Sequence, residues 1–362
     1  MPNPPYVPYS DGVEVVAGDE DAVIGQILEK AAAAGQATFE SYRHAVRQAH
    51  AKSHGVLKGE LKVYDNLPQH LRQGLFAEPK TYPIIVRFST APGKIHSDRA
   101  PSNCGMAIKV LGVEGPKLDA ADASRNQDIL LVNSTTYFGT PAQYRSVQGL
   151  IEKADNSPDE FLRVSNEIGR LLKSAWTSVA GPPPTLLKAM AAPPNHILGE
   201  TFHSMAALRF GDYIAKLRAA PLSESVRALT GVRADSTDSN LRDLVVEFFK
   251  TKTAEYELQA QLCVDLAQMP VEDASVEWSD ALSPPQGVAK ITLGPQDAYS
   301  ADRQVYADDL LSFTPWRGLA AHRPLGAIMR LRLKVYEDSS RFRHEKNARP
   351  RVEPADLAEL PD

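Results

Sequence analysis

Arg332 and Tyr336 lie one helical turn apart in a stretch that predicts a helix from about Leu325 to Arg343. Leu325, Met329, Arg332 and Tyr336 then share one face of that helix. A tyrosine hydroxyl with its ordinary pKa of about 10 is neutral at pH 7, and a neighbouring guanidinium favours the phenolate. The spacing suits a tyrosinate ligand to ferric iron. By itself, however, it favours the simpler interpretation, a surface contact beside a half-buried ring.

Two histidines four residues apart form a second candidate site. His50 and His54 stand in the segment QAHAKSHGVLKG. That spacing could place two imidazoles on one helix face for zinc, but no H-E-x-x-H motif is present and Gly55 begins a predicted strand. A general acid–base role for His50 stays open because an ordinary histidine pKa lies near neutrality, as does an exposed or structural histidine.

The third set of candidates consists of arginines. Arg87 interrupts the apolar strand predicted over 82–90, and a buried guanidinium needs an anionic partner. That partner is either a protein carboxylate or the carboxylate of a ligand, which the planar guanidinium fits well. Arg47 and Arg343 complete the set.

The bulk properties exclude several classes of protein. The 362 residues are 43% hydrophobic and carry a net charge of −5, so no basic excess indicates nucleic-acid binding. Two cysteines cannot form a disulfide framework. The sequence lacks an apolar run of about 18 residues, a signal peptide, a phosphate loop and a nucleophile elbow. We therefore expect a cytoplasmic protein without a membrane span.

The periodicity of the chain predicts strands and helices in one domain, residues 1–362. Seven strands are predicted, over 55–64, 82–90, 106–113, 129–132, 206–217, 256–266 and 288–293. Helices are predicted over 19–34, 39–48 and 157–175, with a proline-rich loop at 181–195. We expect a flexible N-terminal arm over 1–12 and a polar, loosely held tail over 350–362. So many strands with mostly non-helical connections favour an antiparallel sheet that closes into a barrel.

Four segments together resemble the catalases and their smaller relatives. Residues 47–52 (RQAHAK) resemble the catalase R-V-V-H-A-K stretch, and residues 67–90 resemble the turn and V-R-F-S-T strand that follow it. Residues 126–138 (NQDILLVNSTTYF) resemble the strand that brings an asparagine and a phenylalanine to the haem. Residues 332–343 (RLKVYEDSSRFR) resemble the proximal segment R-L-F-x-Y-x-D-T-H-R-H-R. The four occur in the catalase order, from residue 47 to residue 343.

The resemblance implies an α+β fold, with helices around an antiparallel barrel of about eight strands. It places haem b between the barrel and the C-terminal helix. It also implies roles for the matched residues. Tyr336 is the axial iron ligand, Arg332 its activator, His50 the distal acid–base and Ser89 the residue that orients the imidazole. The others are the propionate ligands Arg47, Arg87 and Arg343, the distal Asn126 and the porphyrin contact Phe138.

Departures from the catalase pattern bear on activity. An ungapped match puts Arg125 at the distal asparagine, and only a shift of one residue restores Asn126. Ala49 replaces a valine before the distal histidine and leaves a wider pocket, and Ser340 stands in place of a proximal histidine. Residues 269–278, 312–316 and 322–326 resemble the compact bacterial catalase-like proteins, which puts efficient dismutation of hydrogen peroxide in doubt.

These features favour a haem peroxidase that reduces hydrogen peroxide or organic hydroperoxides with an organic electron donor. The alternatives are a true catalase, a fatty-acid hydroperoxide isomerase or dehydratase, a non-catalytic haem carrier and a haem-free binding protein. The resemblance also favours a homo-oligomer, a dimer or larger.

Overall fold

The computed structural model describes residues 5–136, 138–180, 194–234 and 237–362. Most of the proline-rich loop predicted at 181–195 and the first four residues of the arm lie outside these ranges. The described residues form nine strands: β1 (Ser53–Val63), β2 (Thr81–Thr90), β3 (Cys104–Val110), β4 (Gln127–Val132), β5 (Phe202–His203), β6 (Leu208–Phe210), β7 (Tyr213–Pro221), β8 (Ala254–Leu262) and β9 (Gln286–Leu293).

Eight of the strands close into an antiparallel barrel. Strands β1 to β5 follow one another around the wall, β5 pairs with β7, and β8 and β9 lead back to β1. The ninth strand, β6, pairs only with β7, in a hairpin that turns at Gly211 with φ 62°. The barrel expected from the sequence is confirmed. The strand predicted over 206–217 is in fact this hairpin.

Side-chain alternation along the strands separates the barrel core from the outer wall. Ile84, Val86 and Phe88 of β2 are fully buried inside the barrel, with the alternate residues of β1 and β3. Arg87 and Ser89 therefore point outward. The antiparallel register sets Arg87 beside Ala107 and Ser89 beside Gly105. The outer face of β2, β3 and β4 forms a wall against which other elements pack.

Seven helices are described around the barrel. They are α1 (Glu20–Tyr42), α2 (Pro141–Asp155), α3 (Asp159–Ala180), α4 (Glu224–Arg227), α5 (Asn240–Phe249), α6 (Ala301–Val305) and α7 (Ala327–Lys346). A single turn of π-helix, Tyr306–Leu310, follows α6. Val23, Ile24 and Ile27 of α1 pack against Ile328 and Leu331 of α7.

Helix α1 differs from the expectation of two helices with a stop at Gly35. The helix continues through Gly35, and that glycine packs directly against the side chain of Gln48, where a β-carbon would collide. It ends instead at Arg43, which has a left-handed φ of 57°. Residues 43–52 then run as an irregular segment to β1, so the predicted helix over 39–48 is only partly present.

The described parts of both chain ends pack against the body. The Val7 backbone N–H donates to the carbonyl of Cys263, and Tyr9 donates to Asp212. At the other end Leu360 is fully buried. The arm and the tail expected from the sequence thus contact the body through backbone hydrogen bonds and one buried leucine. None of the helices in the described ranges has the length and apolar character to cross a membrane.

Candidate functional site

A cavity of about 300 Å³ lies between the outer wall of the barrel and α7. Its apolar surface comes from Met106, Leu130, Leu131, Val132, Phe138, Ile328, Leu331 and Val335. Its polar lining includes His50, Ser89, Arg47, Arg87, Arg332, Tyr336 and Arg343. Eight of the nine site residues predicted from the sequence therefore meet in one cavity.

Tyr336 and Arg332 face the cavity from one side of α7. The guanidinium Nη2 of Arg332 donates a hydrogen bond of 2.9 Å to Oη of Tyr336. The tyrosine oxygen thus accepts a charge-assisted hydrogen bond from a guanidinium group. Because the spacing of four residues follows the helix turn, α7 itself aligns the two side chains.

His50 enters the cavity from the irregular segment between α1 and β1. Its φ of 55° is left-handed, and its backbone N–H donates to the carbonyl of Ala91 at 3.0 Å. The ring nitrogen Nδ1 shares a hydrogen bond of 3.0 Å with Oγ of Ser89. Gly105 makes room for the ring, since a β-carbon there would lie 2.7 Å from its Cε1.

The surroundings of His50 keep its imidazole neutral. Burial lowers the pKa of His50 to about 3, and the positive charges of Arg87, Arg332 and Arg47 add to the effect. When Nδ1 donates its proton to Ser89, Nε2 is the nitrogen that offers a lone pair. The site then contains a neutral base with a fixed orientation.

Three arginines gather around one carboxylate at the edge of the cavity. Arg47 donates to Oδ1 of Asp308 at 2.7 Å, and Arg87 donates to the same oxygen at 3.2 Å. Arg343 donates to the backbone carbonyl of Asp308 and, at 3.0 Å, to that of Leu311. The π-helix and Leu311, the residue that follows it, therefore supply most of the acceptors for the arginine cluster, which we define as Arg47, Arg87 and Arg343.

The arginine cluster has more positive charge than its protein partners neutralise. Burial lowers the pKa of Arg343 to about 10, and burial followed by the charges of Arg87 and Arg343 lowers the pKa of Arg47. The Nε atoms of Arg87 and Arg343 are buried and have no hydrogen-bond partner. Buried guanidinium groups with unused donors fit an anionic ligand such as a carboxylate.

Asn126 is the predicted site residue that does not reach the cavity. Its amide is 1% exposed and donates to the carbonyl of Pro354 at 3.0 Å. The alternative, Arg125, forms an ion pair with Glu114 at an exposed position. Neither Arg125 nor Asn126 therefore places an amide group in the cavity. The cavity contains Asn103 instead.

The zinc alternative for His50 and His54 finds no support in the geometry. His54 is fully buried and shares a hydrogen bond of 3.2 Å with Thr90. Its ring therefore does not join that of His50 in the cavity, whose lining excludes it. Within the described part of the chain, no three His, Cys, Asp or Glu side chains are grouped to hold a metal ion.

Sequence reasoning missed Gly105 and Ser340, which line the cavity, and Asp308, which binds two arginines at its edge. Gly105 and Asp308 give weak signals in a sequence, because one acts by lacking a side chain and the other is one acid among many. Ser340 was noted only as a departure from a motif, yet it lines the cavity with a buried hydroxyl that lacks a partner. Side-chain alternation along β3 could have identified Gly105, because residues 105 and 107 lie on the same face of that strand.

No family model matches the sequence, and no curated protein does. Three solved structures have the same fold over most of the chain. A fungal catalase is 18% identical with a TM-score of 0.58 over 94% of this chain and 66% of its own. Catalase A from Saccharomyces cerevisiae is 17% identical, with a TM-score of 0.59 over 94% and 68%. A bacterial catalase is 16% identical, with a TM-score of 0.55 over 95% and 67%.

These comparisons show that the chain has the catalase fold. It spans about two thirds of the length of the catalases that it matches. The barrel and the helices around it follow from that fold, whereas the chemistry of the cavity has to be argued from its side chains.

Proposed function

We propose that this chain is a haem enzyme related to the catalases that acts on peroxides, and that its activity is that of a peroxidase. The observation that supports this most is the content of one cavity. It joins a tyrosine held by an arginine, a neutral histidine held by a serine, and three arginines in need of an anion.

The side chains present fit haem b. Tyr336 would hold the haem iron through its side-chain oxygen, to which the guanidinium of Arg332 donates a hydrogen bond. The arginine cluster would bind the propionates and use the Nε donors that are now without partners. Phe138 and the leucines of β4 would contact the flat apolar faces of the porphyrin. The bound iron would supply the redox chemistry that cleaves the O–O bond of a peroxide.

His50 moves the proton in this proposal. Because its imidazole is neutral at pH 7, Nε2 accepts the proton of the incoming peroxide and returns it to the departing oxygen. Ser89 fixes the ring by its hydrogen bond to Nδ1. Arg87, Arg332 and Arg47 disfavour a lasting imidazolium, so the proton is readily passed on.

The distal side favours an organic electron donor over a second hydrogen peroxide. Asn126 lies outside the cavity and bonds to the tail of the chain, so the amide that lines the cavity is that of Asn103 and not the one at the motif position. Ala49 leaves more space next to the histidine than a valine would. Both features suit a larger substrate better than rapid dismutation.

The same space and apolar lining favour one second candidate, an isomerase or dehydratase of fatty-acid hydroperoxides. Val132 and Leu331 offer a surface on which an acyl chain can lie. Product analysis separates the candidates. A lipid hydroperoxide rearranged without consumption of a reductant would support the isomerase and contradict the peroxidase.

The haem proposal is tested by the absorption spectrum of protein produced with haem available. The wild type is expected to show a Soret band that Tyr336→Phe weakens or abolishes, because phenylalanine cannot ligate iron. Tyr213→Phe, outside the cavity, is the matched control and should retain the band. A wild-type protein without the band would refute the proposal and favour the haem-free binding protein.

Activity is tested by dye oxidation and oxygen evolution on the haem-loaded protein. Dye oxidation that exceeds oxygen evolution is expected, and His50→Ala should lower the rate by about 100-fold or more while the Soret band stays. Oxygen evolution as the main reaction would indicate a true catalase. Absence of turnover with every peroxide would indicate a haem carrier.

A further inference from the structure

Four charged side chains meet between the outer wall of the barrel and the tail, beside the cavity but outside its lining. We define the buried charge cluster as Lys109, Asp128, Arg317 and Glu353. The side chains of Lys109 and Asp128 are fully buried, and those of Arg317 and Glu353 are 6% and 17% exposed. Two cations and two anions balance, which is the condition under which charged groups tolerate burial.

Each part of the buried charge cluster comes from a different element. Lys109 of β3 and Asp128 of β4 are paired in the antiparallel register, and their side chains meet at 2.7 Å. Arg317 stands in the segment 311–317 after the π-helix and binds Oδ2 of Asp128 at 2.7 Å. Glu353 belongs to the tail and binds Lys109 at 2.7 Å and Arg317 at 2.9 Å. The cluster therefore fastens the tail and that segment to the outer wall.

The tail also holds the end of the π-helix and the segment after it at two neighbouring points. Oγ of Ser312 donates to Oε1 of Glu353 at 2.8 Å. The backbone N–H of Val352 donates to the carbonyl of Leu310 at 2.9 Å. These two hydrogen bonds lie on either side of Leu311, so the position of the Leu311 carbonyl depends on the tail.

The carbonyl of Leu311 is an acceptor for two members of the arginine cluster. Nη2 of Arg47 donates to it at 2.8 Å, and Nη2 of Arg343 donates to it at 3.0 Å. A guanidinium is a rigid planar fork, so fixing one nitrogen fixes the direction of the remaining donors. In Arg343 the buried Nε–H is one such donor, and it has no partner. Glu353 is thus connected to both guanidinium groups through Ser312 and Leu311.

We propose that Glu353 is a positioning residue for the binding of an anionic ligand at the arginine cluster. Glu353 fastens the tail and so fixes the carbonyl of Leu311, and that carbonyl aligns Arg47 and Arg343 with the carboxylates of the ligand. The inference rests on the proposed function, in which those carboxylates are the haem propionates. Because ligand binding and docking of the tail are then linked, an anionic ligand should in turn hold the tail in place.

The buried charge cluster suits a positioning role better than a stabilising one. The free energy lost when charged groups leave water is comparable in size to their mutual attraction, so such a cluster adds little net stability. Its bonds, however, require one arrangement, because each of the two carboxylates binds both cations at 2.7 to 2.9 Å. The tail therefore docks in a single register.

The first test compares the release of two ligands that differ only in their carboxylates, haem b and its dimethyl ester. Transfer to excess apomyoglobin measures both dissociation rates. From Glu353→Gln, haem b should dissociate about 10-fold faster than from the wild type, whereas the rate for the ester should change by less than about twofold. Equal acceleration of both ligands would assign Glu353 a merely structural role and overturn the proposal.

Glu359→Gln is the matched control. It makes the same change at an exposed residue of the tail, whose carboxylate accepts from the backbone N–H groups of Ala355 and Asp356. Both ligands should leave this variant at the wild-type rates. Faster release of haem b from Glu359→Gln, to the same extent as from Glu353→Gln, would show that the effect is not specific to the buried charge cluster.

Ser312→Ala keeps the proposal testable if the loss of a buried charge unfolds Glu353→Gln. This variant removes the hydroxyl that joins Glu353 to the segment after the π-helix, but it leaves all four charges of the cluster paired. Release of haem b should become about threefold faster, and release of the ester should not. An unchanged rate for haem b would contradict the path through Ser312.

A second measurement follows the tail itself in the haem-free protein. Trypsin cleavage after Arg351 requires Val352 to leave its hydrogen bond to Leu310, so the rate of that cleavage, identified by mass spectrometry, reports undocking of the tail. Glu353→Gln should be cleaved there about fivefold faster than the wild type or Glu359→Gln. Equal rates in the three proteins would overturn the proposal.

The same cleavage tests the link to the ligand. Haem b should slow the cleavage after Arg351 in the wild type, and its dimethyl ester should not. A wild type that shows a Soret band but releases haem b and the ester at equal rates would leave the haem proposal standing and overturn this one. A wild type without a Soret band would overturn both.

Discussion

His50 is held in an unfavourable backbone conformation. A left-handed φ of 55° costs a residue with a β-carbon roughly 1–2 kcal/mol. Three contacts offset that cost: the backbone bond to Ala91, the ring bond to Ser89 and the close approach to Gly105. The fold thus fixes the imidazole from its backbone, its Nδ1 atom and one face of the ring.

Gly105→Ala is expected to displace the ring of His50, because the added β-carbon would lie 2.7 Å from Cε1 and 2.8 Å from Nδ1. In the haem-loaded protein we expect peroxidase turnover to fall by about 10-fold to 100-fold, with the Soret band retained. Gly149→Ala is the matched control, since nothing lies within 4 Å of a β-carbon there. Unchanged turnover in Gly105→Ala would show that the ring position is not set by this glycine.

The depressed pKa of His50 predicts an unusual pH profile. The rate constant for reaction with peroxide should be flat from about pH 5 to pH 8, because a base with a pKa of about 3 stays neutral throughout. An ordinary histidine, with a pKa of about 6.5, would lose roughly thirtyfold in rate over that range. Stopped-flow measurement on the haem-loaded enzyme distinguishes the two profiles. A rate constant that falls as the pH is lowered through about 6.5 would contradict the proposed effect of burial and of the arginines on the pKa of His50.

At the scale of elements, the π-helix links the tail of the chain to the arginine cluster. Carbonyls of Ala307 and Leu311 accept from Arg47 at 2.6 and 2.8 Å, and both residues pack with Leu360 of the tail. The tail therefore supports the acceptors that hold the guanidinium groups in place.

Leu360→Ala should lower the free energy of unfolding by about 2–4 kcal/mol, because it leaves a cavity at a fully buried leucine. Urea denaturation followed by circular dichroism measures the change. Haem retention should fall as well if the tail supports Arg47. Leu266→Ala, at an exposed position, should change the free energy of unfolding by no more than about 0.5 kcal/mol and should leave haem retention unchanged. An unchanged free energy of unfolding in Leu360→Ala would mean that the tail contributes little to the stability of the fold.

Most of the strands were predictable because each buries an alternating or continuous apolar face, as in YPIIVRFST for β2. The short strands β5 and β6 were not, since two or three residues give no period and form only through their neighbours. Gly35 misled the prediction of α1, because a glycine that permits close packing has the same letter as one that stops a helix.

The candidate site was predictable where a motif carried it and not where packing decides. The residues of α7 and the pair His50 and Ser89 stand at motif positions. The position of Asn126 depends on the start of β4 and on the tail, which reaches it from more than 200 residues away in sequence. Long-range contacts of this kind leave no local pattern.

At the scale of the whole molecule, buried histidines couple stability to pH. Burial is the largest cause that lowers the pKa of six histidines: His54, His50 to about 3, and His196, His203, His322 and His344 to about 4. The unfolded chain binds protons at these sites near pH 6.5, whereas the folded chain binds them only near pH 4. The contribution of these histidines to the free energy of unfolding is thus fully present above about pH 6.5 and is lost as the pH falls toward 4.

His322 shows the effect at one residue. Its Nε2 accepts the backbone N–H of Leu75 at 2.8 Å, and protonation would break that bond. We expect the Tm of the wild type to fall by several degrees between pH 7.5 and pH 5. His322→Gln keeps an acceptor but cannot titrate, so it should reduce the fall by an amount on the order of 2 °C. Calorimetry at both pH values measures the change in Tm. An identical change in the wild type and in His322→Gln would exclude His322 as a contributor to the pH dependence of stability.

The closure of the barrel depends on its shortest strand. Among the described residues, β5 is joined to β4 by the pair Val132 and His203, and to β7 by two pairs, Phe202 with Ala219 and His203 with Arg218. The other joints of the barrel have four to nine paired residues. Amide protons at this joint should therefore exchange with solvent through small local openings, ahead of those in β1 and β2. Val132 and Met205 also line the cavity. The part of the barrel that we expect to open locally most often is therefore the part beside the candidate site.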